Sequence, residues 1–313
     1  MRKYRMEILA TFFAIISPLF MNSAMSQNLK KTANDEGYLL WAANVRSKSF
    51  EERLEAARAG GYTQMSVFPI DIQHWEAQGK TIDELKRMCE AAGVKITVLD
   101  PFTRWLPRWQ VPPEMSRSDA DFVRFDEDEF FRIARELEVE SMTIIETFGT
   151  KYSLHELVAH ASVVADKARD AGIKVHIEFM PFSGIPDLET AWQIVQQANR
   201  DNLGIVLDTW HYYRGNVNDS LLAAIPGDKI FRVQVADATQ ELQGGDLFTD
   251  LMHYRMLPGK GDFPLIESLS ILKKTGGLTS VGPELFSDKM DMLPAKEVGK
   301  RTARELRQLM DSL

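Results

Sequence analysis

Four short segments in the second half of the chain each end an apolar run on an oxygen-bearing side chain: Val175-His176-Ile177-Glu178, Ile205-Val206-Leu207-Asp208, Phe231-Arg232-Val233-Gln234 and Val281-Gly282-Pro283-Glu284. Three carboxylates and one amide oxygen, brought together without a counter-charge, would repel one another, and a divalent cation removes that conflict. Hard oxygen donors suit Mn²⁺, Mg²⁺ or Co²⁺, and Mn²⁺ is the first expectation. The single cysteine, Cys89, excludes a thiolate zinc cluster and an internal disulfide. Any one acidic residue at such a position also serves as a helix cap or meets solvent. Four in succession favour the metal.

Several other residues qualify for chemistry near the same place. His211 follows Asp208 by three positions and is a candidate substrate contact or acid/base group. Arg255 offers a fixed positive donor for a substrate oxygen, against the reading of an incidental arginine in a Gly/Pro turn. Glu146 and Asp100 end earlier apolar runs, and Glu146 is expected to add a polar contact. Trp105 and Trp109 lie in a long connection, 100–118, where their rings either cover a sugar face or pack inward. His176 and Arg232 share the parity of Glu178 and Gln234 one layer deeper, which suits support of the ligands better than chemistry. His155 and His160 are five apart on a helical pattern; five residues turn a helix by about 500°, so the rings diverge by about 140° and do not make a zinc pair.

Whether these groups meet depends on the elements that carry them. Short β-branched runs alternate with longer stretches of helical periodicity, the signature of parallel strands joined by helices. Eight strands are predicted, near Leu39–Ala42, Gln64–Phe68, Lys95–Leu99, Ser141–Ile145, Lys174–Phe179, Leu203–Asp208, Phe231–Val235 and Ser280–Glu284. Ser49, Thr81, Asp126, Ser153, Asp187, Asn218, Pro264 and Pro294 mark the helix starts. Eight such units favour an α/β fold closed as a (β/α)₈ TIM barrel, whose C-terminal mouth is where active sites are built.

Composition sets outer limits. The chain has 313 residues, 44% hydrophobic, which is enough for a large core and argues against disorder. Its 37 basic and 45 acidic residues give a net charge of −8, so no nucleic-acid partner is expected. No dinucleotide-binding glycine motif or phosphate loop is present. Arg2, Lys3 and Arg5 precede an apolar run from Ile8 to Met21, followed by Ala24-Met25-Ser26, which predicts a signal peptide over 1–26. A polar linker over 27–37 and a barrel over 38–313 follow. The apolar run is about 14 residues, short of the roughly 20 that span a bilayer, so membrane attachment is expected only through an uncleaved leader. The expected location is periplasmic or secreted, or cytoplasmic if the first Met is misassigned. The oligomeric state stays open, a homo-oligomer included.

The segments Ile177-Glu178, Leu207-Asp208-Thr209-Trp210-His211, Val233-Gln234-Val235-Ala236-Asp237, Arg255-Met256-Leu257-Pro258-Gly259-Lys260-Gly261 and Pro283-Glu284-Leu285-Phe286 resemble the successive signatures of the xylose isomerase-like barrels, the sugar phosphate isomerase/epimerase group. The resemblance implies one Mn²⁺, Mg²⁺ or Co²⁺ held by Glu178, Asp208, Gln234 and Glu284. In the ketose 3-epimerase branch the third ligand is normally histidine, so Gln234 is a departure; the 3-dehydroshikimate dehydratases of the same superfamily are similar to this chain in carrying glutamine there. Both branches begin by removing a proton next to a carbonyl to give an enolate or enediolate.

The resemblance therefore implies a sugar isomerase or epimerase in which Glu178 and Glu284 exchange the proton. The alternative is a dehydratase or lyase of a keto-polyol, keto-sugar or 3-dehydroshikimate-like substrate, with His211 protonating the departing hydroxyl. A non-catalytic sugar-binding barrel is the remaining reading. In each, the partner is a small sugar or polyol.

Overall fold

A computed structural model describes residues 37–313 apart from Glu114. The expected leader, 1–26, and all of the linker but Gly37 lie outside the described residues. The eight expected strands are present, all parallel and in sequential order: β1 (Leu39–Leu40), β2 (Gln64–Val67), β3 (Lys95–Phe102), β4 (Ser141–Ile144), β5 (Lys174–Ile177), β6 (Leu203–Asp208), β7 (Ile230–Val235) and β8 (Val281–Pro283). They form a nearly closed (β/α)₈ barrel. At the seam the Asn44 side chain donates to the Pro283 carbonyl at 2.5 Å. No helix among the described residues is long and apolar enough to cross a membrane.

Local chemistry explains the helix boundaries. Ser49, Thr81 and Ser153 form reciprocal capping boxes with Glu52, Glu84 and Glu156, while Asp126, Asp187 and Asn218 each accept one backbone N–H of the first turn. Each such cap contributes about 1 kcal/mol. Pro264 and Pro294 occupy the same position without a side-chain acceptor, using their fixed φ instead. Sequence periodicity missed several short helices. Pro69–Ala77 directly follows β2, Arg117–Val123 lies in the long connection after β3, and Thr209–Arg214 begins where β6 ends. Each is short enough that its apolar face is set by tertiary contacts rather than by a repeating pattern.

Strand ends differ from expectation in a way that bears on the site. β3 runs on to Phe102, carrying Asp100 into the sheet, whereas β5 and β8 stop one residue before Glu178 and Glu284. Those two glutamates still donate their backbone N–H to the neighbouring strand, Glu178 to Ile144 at 3.2 Å and Glu284 to Val235 at 3.1 Å. Their side chains are therefore aimed by ladder geometry even where regular pairing has ended. Asp208 is in register with Gln234, and Gln234 with Gly282. Because side chains alternate along a strand, Val206 and Asp208 share one face. Val98 and Val206 form a small apolar cluster with Leu39 and Trp41, set apart from the large core between sheet and helices. This plug floors the mouth.

Gly282 shows how tightly the seam is drawn: a Cβ there would lie 1.9 Å from the Leu39 carbonyl oxygen. Gly282→Ala is expected to force β8 away from β1 and to cost about 1–3 kcal/mol or more, read as a lowered thermal midpoint; an unchanged midpoint would contradict this account of closure.

Candidate active site

Asp208 is the hinge between strand and site. Its Oδ1 accepts the backbone N–H groups of Trp210 at 2.6 Å and His211 at 3.2 Å, so the residue that ends β6 also caps the helix Thr209–Arg214. Capping fixes the carboxylate and leaves Oδ2 for the barrel mouth. There it accepts Arg255 Nη1 at 2.7 Å, and the same nitrogen reaches Glu284 Oε2 at 3.0 Å. Glu284 Oε1 accepts Gln234 Nε2 at 2.8 Å. On the other side His211 Nε2 lies 3.3 Å from Glu178 Oε1 and 4.0 Å from Asp208 Oδ2. The four side chains expected to ligate a metal, with His211 and Arg255, thus form one unbroken set of contacts, and all six are buried.

The arrangement differs from the sequence reading in two respects. Arg255, expected to hold a substrate oxygen, lies on the carboxylates themselves, its guanidinium close to the Trp210 and Phe286 rings with 5.4 Å to each centroid. His211, expected beside the ligands, stands among them: ligand atoms of Glu178, Asp208 and His211 lie within 4.8 Å of one another. The donor set fits a divalent cation. The oxygens are hard, a cationic nitrogen already bridges two of the carboxylates, and the buried Gln234 Oε1 has no hydrogen-bond partner.

Crowding dominates the electrostatics. Burial, then the adjacent Asp208, pushes the Glu178 carboxyl up to about 8, against the opposing pull of Arg255. Burial and Glu178 likewise push Asp100 up to about 8. Glu284 is driven well above the usual range by burial, with Glu178, Asp208 and Asp100 adding to it. Asp208 goes the other way: burial opposes its charge, but the Arg255 guanidinium and the hydrogen bonds from Glu284 and Arg255 hold it below the ordinary value. Burial takes the His211 ring down to about 3, so it is neutral in this arrangement.

The remaining predicted residues hold the frame. Glu146 accepts the N–H groups of Phe148 at 3.1 Å, Gly149 at 2.9 Å and Thr150 at 3.2 Å, and also that of Gly184, tying the loop after β4 to the loop after β5. Trp105 is buried and donates its indole N–H to the Ile145 carbonyl at 2.8 Å, and Trp109 donates to Thr103 Oγ1 at 3.1 Å. His176 meets Ser141 Oγ at 3.2 Å and Arg232 approaches Glu140 at 3.5 Å, both one layer down as expected. His155 and His160 lie on the helix Leu154–Asp170, and His155 is exposed.

Two supports were not among the expected site residues. Asp237 exchanges backbone hydrogen bonds with Met256, and its carboxylate accepts Ala238 and Phe263 N–H, which fixes the segment bearing Arg255. The buried Asp250 accepts Trp210 Nε1 at 2.9 Å and pairs with Arg214.

Metal content should respond to this set directly. Asp208→Asn and Glu178→Gln are each expected to lose bound divalent metal, measured by elemental analysis of folded protein. The pH dependence follows from Glu178. A carboxyl whose pKa rises on folding binds its proton more tightly in the folded state, so its contribution to stability is full at low pH and is lost as pH rises towards about 8. Metal-free protein is therefore expected to melt at progressively lower temperature from about pH 5 to about pH 8, Glu178→Gln to flatten that slope, and added metal to stabilise most at the upper end.

Comparison with known proteins agrees with the fold. A family model for the xylose isomerase-like TIM barrel matches residues 54–312. The 3-dehydroshikimate dehydratase of Pseudomonas aeruginosa is 26% identical over 256 residues, 80% of this chain; the chain spans only 38% of that protein's length. The inosose isomerase of Halalkalibacterium halodurans is 26% identical over 273 residues, 84% of this chain and 92% of that protein. Among solved structures, the IolI protein crystallised with a zinc atom superposes with a TM-score of 0.75 at 22% identity, covering 88% of this chain and 98% of its own. With eight parallel strands in sequential order and a family match over most of its length, the chain belongs to the xylose isomerase-like TIM barrel family.

Proposed function

We propose that the protein is a divalent-metal-dependent isomerase or epimerase of a small polyhydroxylated ketone, acting by proton abstraction next to the carbonyl through an enediolate. The observation that carries this reading is the convergence of Glu178, Asp208, Gln234 and Glu284 at the barrel mouth, with the Gln234 oxygen unpartnered. A cation held by these four, Mn²⁺ first and Mg²⁺ or Co²⁺ next, would supply Lewis-acid stabilisation of the oxygen that gains charge. Similarity to inosose isomerases and the zinc in the IolI protein support a metal-dependent enzyme of this kind.

The chain's own groups then divide the work. Glu178 and Glu284 come from β5 and β8, different staves of the barrel, and so approach a bound carbon from two directions. One removes the proton and the other returns it, which inverts or relocates the stereocentre. His211 lies within hydrogen-bond reach of Glu178 and can steady the substrate oxygens or pass a proton. Arg255 steadies Asp208 and Glu284 and keeps Asp208 ionised. The apolar floor of Leu39, Trp41, Val98 and Val206 keeps water from entering beneath the substrate.

A second reading, a dehydratase or lyase, is favoured by Gln234 in the third ligand position and by the similarity to 3-dehydroshikimate dehydratases. The same enolate would then expel a neighbouring hydroxyl, His211 relaying to it the proton that a glutamate had removed from carbon, so that water leaves and the glutamate is again ionised. The charged-then-apolar start of the chain supports an exported enzyme.

Metal-loaded protein incubated in deuterated water with a panel of keto-sugars and keto-polyols separates these readings by mass. Deuterium gain at constant formula is expected; loss of water would mark the dehydratase instead. Glu178→Gln and Glu284→Gln are each expected to slow exchange by roughly 10²–10⁴-fold. Ligand binding with metal present and no exchange on any ketone would leave a sugar-binding barrel.

A further inference from the structure

A second cavity lies beside the segment that carries Arg255, and none of the four expected metal ligands lines it. Its volume is about 430 Å³, within the range of roughly 300–1,000 Å³ that small-molecule pockets occupy. Three stretches wall it: 253–257 with Lys260 from the connection after β7, 285–293 after β8, and Arg301 on the helix Ala295–Asp311. Arg255 borders both spaces, but its guanidinium is committed to Asp208 and Glu284 in the mouth. Leu285 and Met290 are buried at the cavity and Leu257 and Leu293 half-buried, so its walls are largely apolar.

The charged groups around those walls carry one sign. His253, Lys260, Lys289 and Arg301 line the cavity, and no carboxylate does. Acids outside the lining hold two of the four: Glu305 pairs with Lys260 at 2.7 Å, and Asp288, which also pairs with Arg46, lies 2.9 Å from His253 Nδ1. The other two stay available. Lys289 is exposed and pairs with no carboxylate among the described residues. Arg301 meets Glu297, four residues back on its own helix, at 3.6 Å; both side chains are nearly half exposed, and such a pair contributes little. Ser287 adds a hydroxyl. It lines the cavity and is 4% exposed, yet its side chain makes no capping bond to the short helix Asp288–Asp291 that it precedes. A buried hydroxyl so placed is open to a ligand.

We propose that this cavity is a binding site for a small amphipathic organic anion, with its apolar body against Leu285, Met290 and Leu293 and its carboxylate neutralised by Lys289 and Arg301. A neutral apolar ligand would leave the cations unused, and inorganic phosphate would leave the apolar walls in water. A guanidinium suits a carboxylate because it presents two parallel N–H donors. The assignment does not depend on the reaction proposed at the mouth.

The test uses full-length, metal-loaded protein, 2-naphthoate as the anionic probe and naphthalene-2-carboxamide as its neutral isostere, with affinity read by calorimetry. Naphthoate is expected to bind saturably and at least about tenfold more tightly than the carboxamide, the margin that charge-assisted hydrogen bonds give. Added salt should narrow that margin. Lys289→Ala combined with Arg301→Ala should lower naphthoate affinity by roughly tenfold and leave the carboxamide's unchanged. Ser287→Ala should lower it by roughly fivefold. Glu178→Gln, which alters the mouth and its metal, should leave it unchanged. No saturable naphthoate binding, equal affinity for the two probes, or a double variant that binds as the wild type does would each overturn the proposal. So would a loss of affinity in Glu178→Gln, which would put the anion at the mouth. Both replaced cations are exposed, so the double variant leaves the core intact. Should it misfold, the wild-type ratio and Glu178→Gln still decide.

Discussion

Three buried carboxyl groups, Glu178, Asp208 and Glu284, are gathered around His211 and Arg255 at the mouth of this barrel, and their mutual repulsion, with that of the buried Asp100, is the constraint to which the site is built. Burial alone would protonate them; Glu178, Asp100 and Glu284 are pushed upward by it. Among them only Asp208 keeps a depressed pKa, because the Arg255 guanidinium lies 2.7 Å away. A buried guanidinium with two carboxylate partners is itself tolerable only because its charge is returned in full by those partners. Removing either side would leave an uncompensated ion.

That balance requires exact placement, which the fold supplies through backbone rather than through side-chain packing. Asp208 spends one oxygen on the helix that follows it and offers the other to the site. Arg255 is carried on a segment bonded to both neighbouring strand exits: Met256 pairs with Asp237, and the Arg255 N–H reaches the Phe286 carbonyl at 3.3 Å. Glu146 does the same for the loops after β4 and β5, gathering four backbone N–H groups on one carboxylate. Polar groups with no place in the chemistry thus fix those that have one. Mutations in this supporting set would act on geometry at a distance from the reacting atoms.

Gln234 is the residue at which the chain departs from the ketose 3-epimerase pattern that its sequence resembles. Its amide nitrogen is committed to Glu284, and its oxygen faces the mouth without a partner. A histidine there would offer one nitrogen and could change protonation state, whereas an amide offers a weaker oxygen donor and cannot titrate. In the proposed reaction a glutamine would keep a ligand position without an acid/base group, which would leave proton transfer to Glu178, Glu284 and His211. The chain is similar both to inosose isomerases and to 3-dehydroshikimate dehydratases, and under the proposed function the groups around the substrate would set the outcome of one shared first step.

Much of the architecture was legible in the residues alone. The strand number and order and all eight helix starts rest on period-two alternation and on capping chemistry, which depend on neighbours a few positions away. The short helices and the extension of β3 through Asp100 were not legible, because they are stabilised by contacts formed only once the barrel closes. Three matters belonged to the tertiary structure. Arg255 meets Asp208 across 47 residues and Glu284 across 29, His211 enters the ligand cluster, and Asp100 turns inward with an open oxygen. Sequence determines which groups a strand can present; which of them share a buried volume, and so which must be paired, ionised or left open, is decided by how the staves close around the axis.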